Sequence, residues 1–281
     1  MSTEELPHPL TGLLFPSPVP AGTGWPDDPA DPDTPGARSS DEVAALATGV
    51  GLPELDARVS VCAACPRLVQ WREQVAVDKR ASYAGQPYWG RPIAGWGTAA
   101  PRVLVVGLAP AANGGNRTGR IFTGDRSGDW LFAALHRAGL ATQPTSVHAG
   151  DGQQLLNTRM VAAVRCAPPA NKPLPVERDT CAPWLQRELE LVLPSVKAVV
   201  CLGLFGWTAA LGALKAAGFD VPRPRPRFGH GAEVPLYDGD RSLVVLGCFH
   251  PSQQNTFTGR LTESMIDTVL GRAARLGSSE A

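Results

Sequence analysis

Four cysteines and two loops carry the residue types in this chain that could do chemistry. Cys62 and Cys65 form a C-x2-C turn closed by Pro66, and Cys166 and Cys181 follow, with fourteen residues between them. Four thiolates suit a tetrahedral zinc site or a [4Fe–4S] cluster. A zinc ribbon would normally bring a second close pair, which a C-x14-C separation is not, so the donor set alone leaves both metals open. Cys201 and Cys248 sit in or beside apolar runs and read as buried thiols.

The first loop, GLAPAANGGNRTGRIFTGD (107–125), is rich in glycine, which lets a backbone approach a ligand closely. Its GGNRTGRI portion imitates a phosphate loop, but Arg120 and Ile121 stand where that loop needs Lys and Ser or Thr. No G-x-S-x-G elbow is present, and the five His are too dispersed for a zinc hydrolase motif. What remains is Phe122, Asp125, Arg117 and Arg120. Asp125 also fits a helix N-terminal acid, and Phe122 also fits a core aromatic. The second loop, HPSQQNTFTGRLT (250–262), places His250 directly after an apolar run. Its Ser252–Thr256 stretch offers donors and acceptors without charge, suited to base edges and phosphates, or to a surface turn. PRPRPR (222–227) is a stiff basic segment, either a solvated loop or a phosphate track.

The elements around these loops point to an α/β protein. Short β-branched runs at 103–107, 160–164, 198–203 and 242–247 alternate with helical patterns at 129–139, 177–193, 204–218 and about 258–276. Such alternation predicts a small parallel sheet of four strands covered on both faces, with the site at the strands' C-terminal ends. Upstream, helices are expected from Asp41 and, without a break, over about 54–80. The chain has 281 residues and zero formal charge, but the zero is a sum of opposites. Residues 1–58 carry ten acids and two Arg, −8, and the remainder carries 24 bases and 16 acids, +8. That asymmetry points to a charged ligand. Nine prolines fall in residues 1–40. Residues 1–53 are therefore expected to be a Pro-rich, acidic, largely irregular extension, loosely draped or disordered over 1–40, with Phe15 and Trp25 as its candidate anchors. Residues 54–281 form the body. No apolar run reaches the length of a membrane span and no secretory signal opens the chain, so a cytoplasmic location is expected, with no membrane partner.

The loops 107–125 and 250–262, together with RCAPPANKP (165–173), CAACPRLVQWRE, PYWGRPIAGWG and the four cysteines, resemble the type B, family 5 uracil-DNA glycosylases, closest to actinobacterial members. The similarity runs from about Glu54 to Leu276. It implies a three-layer α/β/α sandwich on a four-stranded parallel sheet, and a structural [4Fe–4S] cluster on Cys62, Cys65, Cys166 and Cys181. The implied activity is hydrolysis of the N-glycosidic bond of uracil in DNA, leaving an abasic site, with hypoxanthine and other damaged bases as further substrates. Phe122 would stack on the flipped base, Asp125 would stabilise the sugar cation and orient water, and His250 would hydrogen-bond the leaving base. Gly107, Ala109, Asn113, Ala162 and Asn171 would border the base. Ala162 stands where related glycosylases place an Asn that reads uracil, which favours broad specificity. Arg117, Arg120, Ser252, Gln253, Gln254, Asn255 and Arg260 would face the DNA, single- or double-stranded. The family pattern GLAPAAHG has Asn113 in place of its His here, which removes a titratable group. With four Lys and no lyase motif, a monofunctional, monomeric enzyme is expected. The second reading is an iron–sulfur module that grips damaged DNA with little catalysis; a redox role for Cys62 and Cys65 is weaker, because the cluster consumes both. The acidic extension is expected to be a salt-sensitive competitor for the DNA groove or a docking arm.

Overall fold

A computed structural model describes residues 4–278. In chain order the elements are β1 (Leu6–Pro7), β2 (Leu14–Phe15), α1 (Ser40–Ala47), α2 (Leu52–Ser60), α3 (Pro66–Asp78), β3 (Trp96–Gly97), β4 (Val103–Gly107), α4 (Gly115–Thr118), α5 (Arg126–Arg137), β5 (Thr158–Ala162), α6 (Pro175–Val192), β6 (Ala198–Leu202), α7 (Gly203–Ala216), β7 (Glu233–Asp238), β8 (Arg241–Cys248), α8 (Gln253–Phe257) and α9 (Glu263–Ser278). The main sheet has six strands in the order β3-β5-β4-β6-β8-β7. Its four central strands are parallel, as the apolar runs predict, and antiparallel β3 and β7 extend it at either edge.

The two edges differ from expectation for physical reasons. β3 is two residues long and leaves no periodic signal. β7 contains Pro235, a residue that argues against a central strand but is tolerated at an edge. Strand β5 begins and ends two residues earlier than expected. Ala163 and Val164 instead turn their N–H groups to the carbonyls of Gly107 and Leu108, at 3.0 and 2.9 Å.

Side chains alternate across the sheet and give three layers. Val103 and Val105 pack on one face with Leu131, Phe132 and Leu135 of α5 and Ile266, Val269 and Leu270 of α9. Leu104 and Val106 face the other way, against Leu185 and Leu189 of α6 and Trp207 and Leu211 of α7. Cys201 and Cys248 are fully buried, as read. The helix expected over 54–80 is broken, because residues 61–65 leave the helix before Pro66 restarts it at a first-turn position. The last helix begins at Glu263 instead of near Thr258, since Gly259 takes a left-handed conformation (φ +70°) after α8.

The N-terminal extension is irregular but not loosely draped, which corrects that expectation. Phe15, Val19 and Trp25 join the core that covers the α5–α9 face of the sheet. Buried His8 lies edge-on to Trp25 and to His148, with ring centroids 4.7 and 4.4 Å apart. Burying each large apolar side chain is worth roughly 1.5–3 kcal/mol, and a few of these outweigh the proline-rich composition. The segment's acids neutralise arginines of the body. Asp28 pairs with Arg91 at 2.8 Å, and Asp27 with Arg120 at 3.2 Å. These pairs turn two of the segment's acids toward the body.

Candidate active site

The loops that leave the C-terminal ends of the central strands open onto a cleft of ≈ 950 Å³. Its walls include Asn113, Gly114, Arg117, Asp125, Asn171 and Ser252–Gln254. Sequence-predicted residues from three separate segments, the 107–125 loop, the stretch around Asn171 and the 250–262 loop, thus converge on one cavity. Asp125 is the N-cap of α5, and its Oδ1 accepts a hydrogen bond from the Gly128 N–H at 2.9 Å. Burial pushes its carboxyl above the ordinary range, against the lowering effect of the Gly128 and Ser127 amides. A Cβ on Gly114 would collide with Oδ2 of Asp125, so that glycine leaves room for the carboxylate.

Phe122 lies three residues before Asp125 and adopts φ +51°, a left-handed conformation that costs a non-glycine residue about 1–2 kcal/mol. Its ring packs where a Cβ on Gly107 would stand, which explains the glycine that ends β4. His250 follows β8, with its ring centroid 6.4 Å from that of Phe122. Neither ring is among the side chains lining the open cleft, although Asp125 and Ser252, three and two residues along the chain from them, do line it. No protein group among the described residues hydrogen-bonds the His250 ring, and burial pushes its pKa down to about 4, leaving a neutral imidazole at pH 7. The Asn255 amide donates to the His250 carbonyl at 2.8 Å, so Asn255 braces the turn that carries His250.

Asn113 accepts a hydrogen bond from the Tyr88 hydroxyl at 2.9 Å. Arg117 lines the cleft but is buried, donating to the carbonyls of Asn113 and Gly124 and stacked 4.0 Å from the Tyr83 ring. Arg120 is not a DNA contact. Its guanidinium is buried and bound to Asp151 at 2.7 Å as well as to Asp27, because an unpaired buried charge is too costly to keep. Arg260 is exposed, rests 4.7 Å over Phe249 and lies outside the cleft walls. Ala162 is buried at the end of β5, and Ala109 packs toward Cys166 and Leu68. The cleft also contains residues that sequence reasoning missed: Pro9, Leu10, Arg80, Tyr83, Gln86, Arg126 and His148. Only Arg126, directly after Asp125, carried a local signal.

Away from the cleft, Cys62, Cys65, Cys166 and Cys181 line a single small cavity of ≈ 20 Å³. Burial, reinforced by the other thiols, raises Cys65 to about 12 and pushes Cys181 up strongly. Arg72 donates to Cys166 Sγ at 3.0 Å, and the Arg165 N–H to Cys181 Sγ at 3.4 Å. Trp184 Nε1, Arg72 Nε and two Arg165 nitrogens from the cavity's lining residues are buried without a partner. Among the described residues, no three His, Cys, Asp or Glu side chains come close enough to hold one metal ion. Four thiols thus line one cavity, together with buried donors that have no protein partner.

This fold, with its cleft at the ends of the parallel strands, is that of a uracil DNA glycosylase: the model of the uracil DNA glycosylase superfamily matches residues 94–273. A protein from Mycobacterium tuberculosis named type-5 uracil-DNA glycosylase is 57% identical over 274 residues, covering 97% of this chain and all of its own. Proteins of the same name from Thermus thermophilus and Pyrobaculum aerophilum are 49% and 46% identical, covering 78% and 77% of this chain and 94% and 89% of their own. The chain belongs to the type-5 uracil-DNA glycosylase family. Because 97% of it aligns with the mycobacterial protein, most of the 53-residue extension falls within that match.

Proposed function

We infer that this protein hydrolyses the N-glycosidic bond of uracil in DNA and leaves an abasic site. The observation that carries the reading is Asp125, a carboxylate fixed at a helix N-terminus in the wall of the cleft, beside the paired rings of Phe122 and His250. A base stacked in a duplex is out of reach, so its nucleotide is flipped into the site at a cost of a few kcal/mol. Phe122 stacks on the flipped base. Its strained backbone is held by packing, because Gly128 lies against the Phe122 carbonyl with no room for a side chain. As the glycosidic bond lengthens, positive charge develops on the sugar and negative charge on the base. The ionised Asp125 stabilises the sugar and holds the attacking water, accepting its proton. Neutral His250 donates its ring N–H to the departing base. Fixed donors of this kind are worth roughly 10²–10³ in rate each.

With Ala162 at the position of a base reader, the pocket recognises its substrate through backbone groups and Asn171, and takes hypoxanthine as well as uracil. Ser252, Gln253 and Gln254 enter the groove beside the lesion, in single or double strands, and the protein acts as a monomer. Cys62, Cys65, Cys166 and Cys181 hold a [4Fe–4S] cluster, supported by the unpaired donors of Arg72, Arg165 and Trp184. The cluster is a structural cross-link that ties α3 and α6 to the loop after β5. A uracil-containing oligonucleotide, incubated with the protein and then treated with alkali, tests the reading. Cleavage at the uracil position, absent from an Asp125→Ala control, is expected; cleavage no greater than the control would overturn it.

A further inference from the structure

The tip between β1 and β2 is an apolar element attached to a polar cleft. Pro9 and Leu10 line the same cavity as Asp125 and Ser252–Gln254. Leu10, Leu13 and Leu14 expose 46, 54 and 59% of their surface, an arrangement that water disfavours unless something covers it. The tip is also rigid. The His8 ring accepts the N–H groups of Leu10 and Thr11 at 3.3 Å, the His8 N–H donates to the Leu13 carbonyl at 2.8 Å, and the Gly12 N–H donates to the His8 carbonyl at 2.9 Å. The base of the hairpin is anchored by the buried rings of His8, Phe15 and Trp25 against His148, itself a wall of the cleft. A rigid apolar tip on the rim of a site that receives a flipped nucleotide has one natural occupant, the bases left behind in the stack.

We propose that the hairpin tip Pro9–Leu13 is a second DNA-contacting element, which packs its exposed leucines against the bases next to the flipped nucleotide in duplex DNA. Apolar side chains set against an opened base step offset part of the unstacking cost. A single strand has less stacking to lose, so the benefit is specific to the duplex. The inference rests on the glycosylase reading, and wild-type excision from a single strand tests that reading by itself.

Rates of uracil excision are measured under single-turnover conditions on a duplex and on a single strand of the same sequence, for wild type, Leu10→Ser/Leu13→Ser and Leu10→Phe. The double variant is expected to lower the ratio of duplex to single-strand rate at least tenfold, and Leu10→Phe to keep it within threefold of wild type. Both rates come from one preparation, so any loss of folded protein cancels. A ratio unchanged in the double variant, whether both rates fall together or neither falls, would overturn the proposal and assign the exposed leucines to another partner.

Discussion

At the scale of single residues the chemistry depends on one carboxylate and the space around it. Gly114→Ala removes the room that Asp125 Oδ2 occupies. A catalytic group displaced by about 1 Å costs on the order of 10²-fold, and a loss of that size is expected in the single-turnover rate with the fold retained, as judged by circular dichroism. The pH profile tests the roles proposed for Asp125 and His250. If Asp125 acts ionised, the burial that raises its pKa places the acid limb of kcat/KM above the ordinary aspartate value near 3.8. His250, pushed down to about 4, adds no second limb between pH 5 and 9. Asn113→His reintroduces a titratable group beside Tyr88. Excision of at least one base is expected to rise with a new pH dependence; equal rates for both forms across pH 5–9 would show that the family His has no role at this position.

Elements position those residues, and their legibility in the sequence depended on how local their causes were. The four parallel strands announce themselves as β-branched runs, His250 as a position two residues after one of them, and Asp125 by the motif that ends the 107–125 loop. Cleft residues brought in from a distance did not. Pro9 and Leu10 arrive through contacts of His8 and Trp25 with His148, some 120–140 residues along the chain, and no local pattern encodes such a pairing. The burial of Arg120 has the same kind of cause, since its partners Asp27 and Asp151 are remote in sequence. The hairpin's docking is sensitive to acid. His148 is pushed by burial to about 3, with His8, Arg117 and Arg120 adding to the effect. Between that value and the unfolded value near 6.5 the unfolded chain binds the extra proton, so stability is fully present above pH 6.5 and is lost as pH falls. At pH 5 the loss is about 2 kcal/mol for this one group. Calorimetry at pH 5 and 7 is expected to show a smaller drop in Tm for His148→Gln than for wild type. On the opposite face, fully buried Glu188 joins Arg159 and Arg165, each at 2.5 Å, and Arg159 reaches on to Asp56 of α2. Glu188→Ala leaves buried Arg165 without its carboxylate and Arg159 with Asp56 alone, and a loss of about 3–5 kcal/mol in urea unfolding is expected.

For the whole molecule, zero net charge is the sum of an acidic extension and a basic body, and the structure brings the two together. Asp27, Asp28 and Asp56 meet arginines of the body, so the extension is tied to it by charge as well as by apolar packing. The four cysteines act at the same scale, since they come from the helix break after α2, the loop after β5 and α6 itself. A brown protein with broad absorption near 400 nm and four irons per chain is expected, roughly as for cysteine-ligated clusters generally. A colourless, zinc-loaded protein would contradict that assignment. The central claim is base excision by hydrolysis through Asp125, and the products of a single turnover test it most directly. A duplex with one uracil is incubated with excess enzyme, and both free base and strand integrity are measured. One free uracil per strand is expected, with a strand that stays intact until alkali is added and a rate reduced at least about 10²-fold in Asp125→Asn. No released uracil, strand breakage without alkali, or an undiminished Asp125→Asn rate would contradict it.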